Sequence, residues 1–140
     1  MRIMAVDFGD ARTGIAVSDM SGTLSGEAWV LNEKNTQAVA RVVSEEATSR
    51  GVGQIVVGYP RNMNGTVGPR AEKSEQIAES IRELCCIEVV LWDERMTTMS
   101  AHRILNEVGK HGKKRKKTVD AVAASLILES YLAFRQGQSS

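Results

Sequence analysis

Three short apolar runs occupy the first 31 residues, and the segments between them are too short for a helical crossover. Ile3 to Val6 ends in Asp7, a glycine-bounded turn from Gly9 to Gly14 leads into Ile15 to Val17, and Ala28 to Leu31 follows. Parallel strands need a connection of a dozen or more residues, so these three are restricted to an antiparallel meander. The same stretch leaves a carboxylate, Asp7, at the exit of the first strand. Open α/β sheets keep their ligand crevice there, which makes Asp7 a candidate metal ligand. Taken alone, an Asp before Phe-Gly reads first as an ordinary turn former.

After Leu31 the pattern changes. Asn35 or Thr36 can cap a helix to about Arg50, with Val39, Val42, Val43 and Ala47 at helical spacing and Gly51 as its stop. Gln54 to Val57 predicts a fourth strand. The loop from Tyr59 to Arg70 holds both prolines and is long for a plain connection, as binding loops at strand exits often are. A helix from about Ala71 to Cys85, a fifth strand from Ile87 to Trp92 and a helix capped by Thr97 or Thr98 follow. That last helix carries Ala101, Ile104, Leu105 and Val108 and stops at Gly109. A final, largely apolar helix is predicted from about Val119 to Phe134, capped by Thr118, with Gly137 to Ser140 expected to fray. Strands one, four and five alternate with helices and are expected to be parallel, beside the antiparallel edge of strands two and three. This is the element order of the ribonuclease H-like fold: an α/β architecture with a five-stranded mixed sheet flanked by helices. A chain of 140 residues suits a single domain, here 1–136.

Composition excludes some functions. No apolar run approaches the roughly 20 residues of a membrane span, and the N-terminus enters a strand pattern without a signal-like segment, so a cytoplasmic protein is expected. Cys85 and Cys86 are adjacent, which provides neither a disulfide framework nor a spaced zinc motif. The net charge of +1 is unevenly spread. Lys110, Lys113, Lys114, Arg115, Lys116 and Lys117 hold six of eighteen basic residues, leaving twelve against seventeen acids, a body at −5. An acidic body with one concentrated basic segment fits a local contact to a polyanion, gained by counterion release and without sequence preference. The aromatic residues are scattered, so base stacking is not expected and recognition rests on backbone and shape.

Two further acids occupy positions comparable to Asp7. Glu94 follows the fifth strand, and Asp120 lies in the first turn expected of the final helix. Singly, Glu94 pairs readily with a neighbouring cation and Asp120 complements a helix dipole. Jointly, three carboxylates from separate elements are what magnesium or manganese asks of a protein. In a two-metal site the ions sit ~4 Å apart, one activating water and the other stabilising the leaving oxygen of a phosphodiester.

Four stretches carry a resemblance to a known family: Asp7 to Asp19, Gly58-Tyr59-Pro60 with Asn64-Gly65, Asp93 to Thr98, and Val119 to Ala124. In this order they resemble the YqgF (RuvX) family of bacterial ribonuclease H-like proteins, over nearly the whole chain. Its members are described as Holliday junction resolvases and as nucleases that mature the 5′ end of pre-16S ribosomal RNA. The resemblance implies that Asp7, Glu94 and Asp120 are the catalytic, metal-binding acids, with Mg2+ or Mn2+ as cofactor. It also implies that Arg12, Arg95 and Thr97 position phosphates. Tyr59 stands where the family commonly has Leu, Asn64 where Asp is frequent, and Met96 in place of Leu, which bears on groove shape and removes no ligand.

The expected activity is therefore metal-dependent endonucleolytic hydrolysis of structured nucleic acid, by a monomer or homodimer working on precursor ribosomal RNA or ribosomal precursor particles. Branched DNA is the alternative substrate. A non-catalytic RNA-binding or transcription-associated module is a reading from another class. Asp7-Phe-Gly to Gly14 also resembles the first phosphate loop of actin-like ATPases, but one domain of this length lacks the second lobe that encloses a nucleotide.

Overall fold

The computed structural model describes residues 1–9, 11–60, 64–94 and 112–138, with side chains in all of these except 112–120 and 138. The helix expected after Thr97 or Thr98, together with Arg95, Thr97 and Lys110, lies outside the described residues.

Strands β1 (Arg2–Phe8), β2 (Thr13–Ser18) and β3 (Ser25–Leu31) form the meander. Helix α1 (Thr36–Ser49) leads to β4 (Val52–Tyr59), and helix α2 (Pro69–Leu84) to β5 (Glu88–Asp93). The order across the sheet is β3-β2-β1-β4-β5. β1 pairs antiparallel with β2 and parallel with β4, β4 pairs parallel with β5, and β2 pairs antiparallel with β3. This is the expected mixed sheet. The β1–β2 connection is tight: the Gly9 N–H donates to the Arg12 carbonyl at 2.9 Å, and a Cβ on Gly9 would lie 2.7 Å from that oxygen. Of the two candidate caps for α1, Asn35 serves, its side-chain oxygen accepting from the Ala38 N–H at 3.0 Å.

Side chains alternate across a strand, and here each side of the sheet meets a different helix layer. Met4, Val6, Phe8, Ile15 and Val17 pack with Val39, Ala40, Val43, Ile77, Ala78 and Ile81 of α1 and α2. Ile3, Ala5, Ala16, Val56 and Trp92 pack instead with Ala124, Ile127, Leu128, Tyr131 and Leu132 of the last helix, α3 (Gly112–Gln138). The aromatics are less scattered than the sequence suggests: Trp92 lies 5.4 Å from Tyr131 and 5.1 Å from Phe134, ring centre to ring centre.

Helix α3 differs most from expectation. Its 27 residues span about 40 Å, and it begins at Gly112, so Thr118 is inside the helix and caps nothing. Lys113, Lys114, Arg115, Lys116 and Lys117 belong to its first turns. The switch from basic to apolar residues near Thr118 marks the onset of burial. It does not mark a helix start, because Lys and Arg are good helix formers and neither Gly nor Pro interrupts 113–136. At the other end the helix continues through Gly137 to Gln138. Among the described residues no helix is long and apolar enough to cross a membrane.

Candidate active site

The C-terminal end of the parallel strands is where the acids gather. On β1, Ile3 and Ala5 face α3, so Asp7, two residues on, points to the same side. On β5, Trp92 faces α3, and Glu94 follows just past the strand. Register places Val6 beside Val57, and Gly58 beside Trp92. Asp7 and Gly58 are thus neighbours under α3, and the Glu94 side chain, which leaves the chain two residues past Trp92, reaches back over Gly58.

There the carboxyls of Glu94 and Asp7 are hydrogen-bonded to each other. The electrostatics follow from that contact. Burial is the largest influence on Glu94, and with the negative charge of Asp7 and the Asp7 hydrogen bond it pushes the Glu94 carboxyl up from 4.5 to about 8. Arg70 pulls the other way, and Asp93 adds a smaller upward push. Two acids that resist simultaneous ionisation are an unfavourable arrangement for stability, and such pairs are common where function requires them.

Arg70 was not among the sequence candidates. It is the second residue of α2, which begins at Pro69, two residues earlier than the Ala71 suggested by the apolar spacing. Proline at the first helical position is the signal that would have found this start. The helix is held to the end of β4 by the Tyr59 hydroxyl, which donates to Glu75 Oε1 at 2.6 Å. The first turn of α2 carries Arg70, whose charge acts on Glu94.

Of the expected site residues, Asp7 and Glu94 are in contact. Asp120 lies on α3 seven residues before Ile127; two helical turns make seven residues, so both positions share one face of the helix, about 10 Å apart along it. Ile127 is 1% exposed and packs at Gly58, beside Glu94. Arg12 is half-buried in the β1–β2 connection. Lys113, Lys114, Arg115, Lys116 and Lys117 lie on the turns of α3 preceding Asp120, while Arg95, Thr97 and Lys110 fall outside the described residues. Among the described residues no group of three acid, His or Cys side chains forms a metal cage. The donor set nevertheless suits a hard cation: two carboxylates share one notch, and the charge repulsion that raises Glu94 is what a divalent ion relieves. A recess of about 670 Å³ between α1 and α2 is lined by Glu72, Glu75, Glu79 and Glu83. It lies in the opposite helix layer, and its charge is wrong for a polyanion.

Comparison with known proteins covers nearly the whole chain. Residues 1–134 match the family model described as "RuvX: Holliday junction resolvase". A protein of Bacillus cytotoxicus named "Putative pre-16S rRNA nuclease" is 47% identical over 134 residues, covering 94% of this chain and 98% of its own. One of the same name from Ruminiclostridium cellulolyticum is 43% identical over 133 residues, 94% of each. Among solved structures, RuvC of T. thermophilus in complex with a Holliday junction substrate superposes with a TM-score of 0.65 at 12% identity, covering 98% of this chain and 96% of that one. The Fowlpox virus resolvase in complex with Holliday junction DNA gives 0.58 at 15% identity, covering 96% and 99%. At such identities the likeness is one of fold, the ribonuclease H-like fold that the sheet order already indicated. Sequence similarity running from the first strand almost to the end of the last helix leaves no ambiguity about kinship: this chain belongs to the RuvX family.

Proposed function

We propose that this protein is a metal-dependent endonuclease that hydrolyses phosphodiester bonds in structured nucleic acid, with the 5′ end of pre-16S ribosomal RNA as its substrate. The contact between Asp7 and Glu94 carries the reading. Two half-buried acids, pressed together at the strand exits so that one holds its proton near neutrality, cost stability, an arrangement common at functional sites. Asp7, Glu94 and Asp120 would hold magnesium or manganese, in a one- or two-cation arrangement. When bound, the cation supplies Lewis-acid polarisation of the phosphodiester and neutralises charge on the leaving oxygen.

The protein's own part is to bind and orient. Five cations in the first two turns of α3 oppose the helix dipole, a cost of roughly 0.3–1 kcal/mol for each in the terminal turn. Backbone phosphates reverse that cost, and the charges lie on the helix that also carries Asp120. Arg12, Arg95 and Thr97 orient the phosphates beside the acids. Names given to relatives support ribosomal RNA as substrate, and the absence of an aromatic row along α3's basic turns fits recognition by backbone and shape. The domain, residues 1–136, would work in the cytoplasm as a monomer or homodimer, on free precursor RNA or precursor ribosomal particles.

The test offers pre-16S RNA fragments and a four-way DNA junction side by side, with magnesium or manganese, to the wild type and to Asp7→Asn and Glu94→Gln. Cleavage of the RNA near its mature 5′ end by the wild type alone is expected. Equal cleavage by Glu94→Gln would refute the reading, and preference for the junction would reassign the substrate.

A further inference from the structure

Gly58 is buried in β4, with β1 on one side and β5 on the other. Its glycine identity is not required by the backbone: the glycines with positive φ are Gly22, Gly51 and Gly65, so an L-residue fits the strand at 58. Glycine in a strand costs about 0.5–1 kcal/mol relative to alanine and gives up packing. Its neighbours Ile55, Val56 and Val57 are β-branched and buried, as a central strand favours. Something other than strand stability therefore accounts for a missing side chain at 58.

The space it leaves is specific. A Cβ at 58 would lie 2.8 Å from Ile127 Cδ1, 3.2 Å from Glu94 Cδ and 3.3 Å from Glu94 Cγ. Neighbouring strands are about 4.8 Å apart, so a side chain leaving the end of β5 must cross the full width of β4 to reach β1. Glu94 makes that crossing, since its carboxyl meets Asp7. Its path runs over Gly58, and Ile127 closes the path from above.

We propose that Gly58 is a positioning residue: the gap it leaves in β4 is the passage through which Glu94 reaches Asp7, and any Cβ there parts the two carboxyls. This rests on the nuclease reading for its consequence, because parted carboxylates no longer serve one cation site. It does not rest on it for the geometry. A purely structural alternative exists, in which glycine only makes room for Ile127. Ile127→Val separates the two, since it deletes the Cδ1 that an alanine at 58 would strike and leaves Glu94 untouched.

The experiment compares wild type, Gly58→Ala, Ile127→Val and the double variant by thermal unfolding, manganese calorimetry and crystal structures in chelator. Ile127→Val is expected to bind manganese as the wild type does. Gly58→Ala is expected to lose 10- to 100-fold in manganese affinity, the usual effect of disturbing a ligand's support. The double variant should recover melting temperature without recovering affinity, and should show Glu94 displaced from Asp7. Full recovery of affinity in the double variant would overturn the proposal in favour of packing at Ile127. Should the wild type bind no manganese, the nuclease reading fails, and the chelator structures still decide on Gly58: an unchanged Glu94–Asp7 contact in the alanine variants would overturn it. If Gly58→Ala alone does not fold, the double variant carries the same comparison.

Discussion

Replacing Glu94 by Gln should make the protein more stable at alkaline pH and remove most of the pH dependence of its stability between 5 and 8. In the folded state burial and Asp7 push the Glu94 carboxyl from 4.5 up to about 8. Between those values the unfolded chain has released this proton while the folded chain still holds it, so stability falls as pH rises. At 1.36 kcal/mol per pH unit the full gap corresponds to about 5 kcal/mol, and partial solvent exposure of the carboxyl brings the expected loss to about 3–5 kcal/mol. Glutamine keeps shape and hydrogen-bonding capacity and cannot ionise. The assay is urea unfolding of both proteins from pH 5 to 8.5 in chelator, read as the difference between them so that every other titrating group cancels. The two should agree near pH 5 and diverge steadily above it, the variant being the more stable. Manganese should reverse the sign for the wild type alone, because a ligand that binds only the folded, ionised pair stabilises in proportion to its concentration over Kd. Parallel stability curves for the two proteins in chelator would refute the argument.

Asp19 is held down at about 2, first by the Thr23 backbone N–H, with Ser21 and Thr23 hydroxyls and the Leu24 N–H also donating. Its contribution is present above the ordinary 3.8 and is lost as pH falls through about 2, so Asp19→Asn should flatten the acid limb of the unfolding curve below pH 4. Changing Lys113, Lys114 and Arg115 together to Gln should preserve helicity by circular dichroism while lowering the salt slope of RNA binding by about 2, at roughly 0.7 per phosphate contact on single strands. Arg70→Gln removes the charge that opposes Glu94's rise, so a carbon-13 titration of Glu94 in chelator should move to higher pH. An unmoved titration would place Arg70 outside the site.

Much of this molecule is readable from residue order. The short links in residues 1–31 dictate the meander, and the alternation after them dictates the parallel half of the sheet. Asp7 and Glu94 are conspicuous as acids at strand exits. What the sequence hides is which of the two faces each acid occupies. Parity along β1 groups Ile3, Ala5 and Asp7, yet only packing shows that α3 covers that group while α1 and α2 cover Met4, Val6 and Phe8. Gly58 reads as a strand terminator, and its purpose emerges only when β4 is found lying between Asp7 and Glu94. The start of α3 was missed for a different reason: apolar spacing reports burial, and a helix that projects past its core leaves no such trace in its basic turns.

Because α3 is one uninterrupted rod, the phosphate contact proposed for its basic turns would be phase-locked to the core. Ala124, Ile127 and Tyr131 fix its rotation against the sheet, and every earlier residue inherits that angle. One residue inserted between Asp120 and Ala124 would swing Asp120 and all five preceding cations by 100° and shift them by about 1.5 Å, leaving the hydrophobic contacts intact. The core would still form while positions 113–120 sat at a different angle around the helix axis, so the proposed contact depends on the spacing between positions 120 and 124 as well as on the residues themselves.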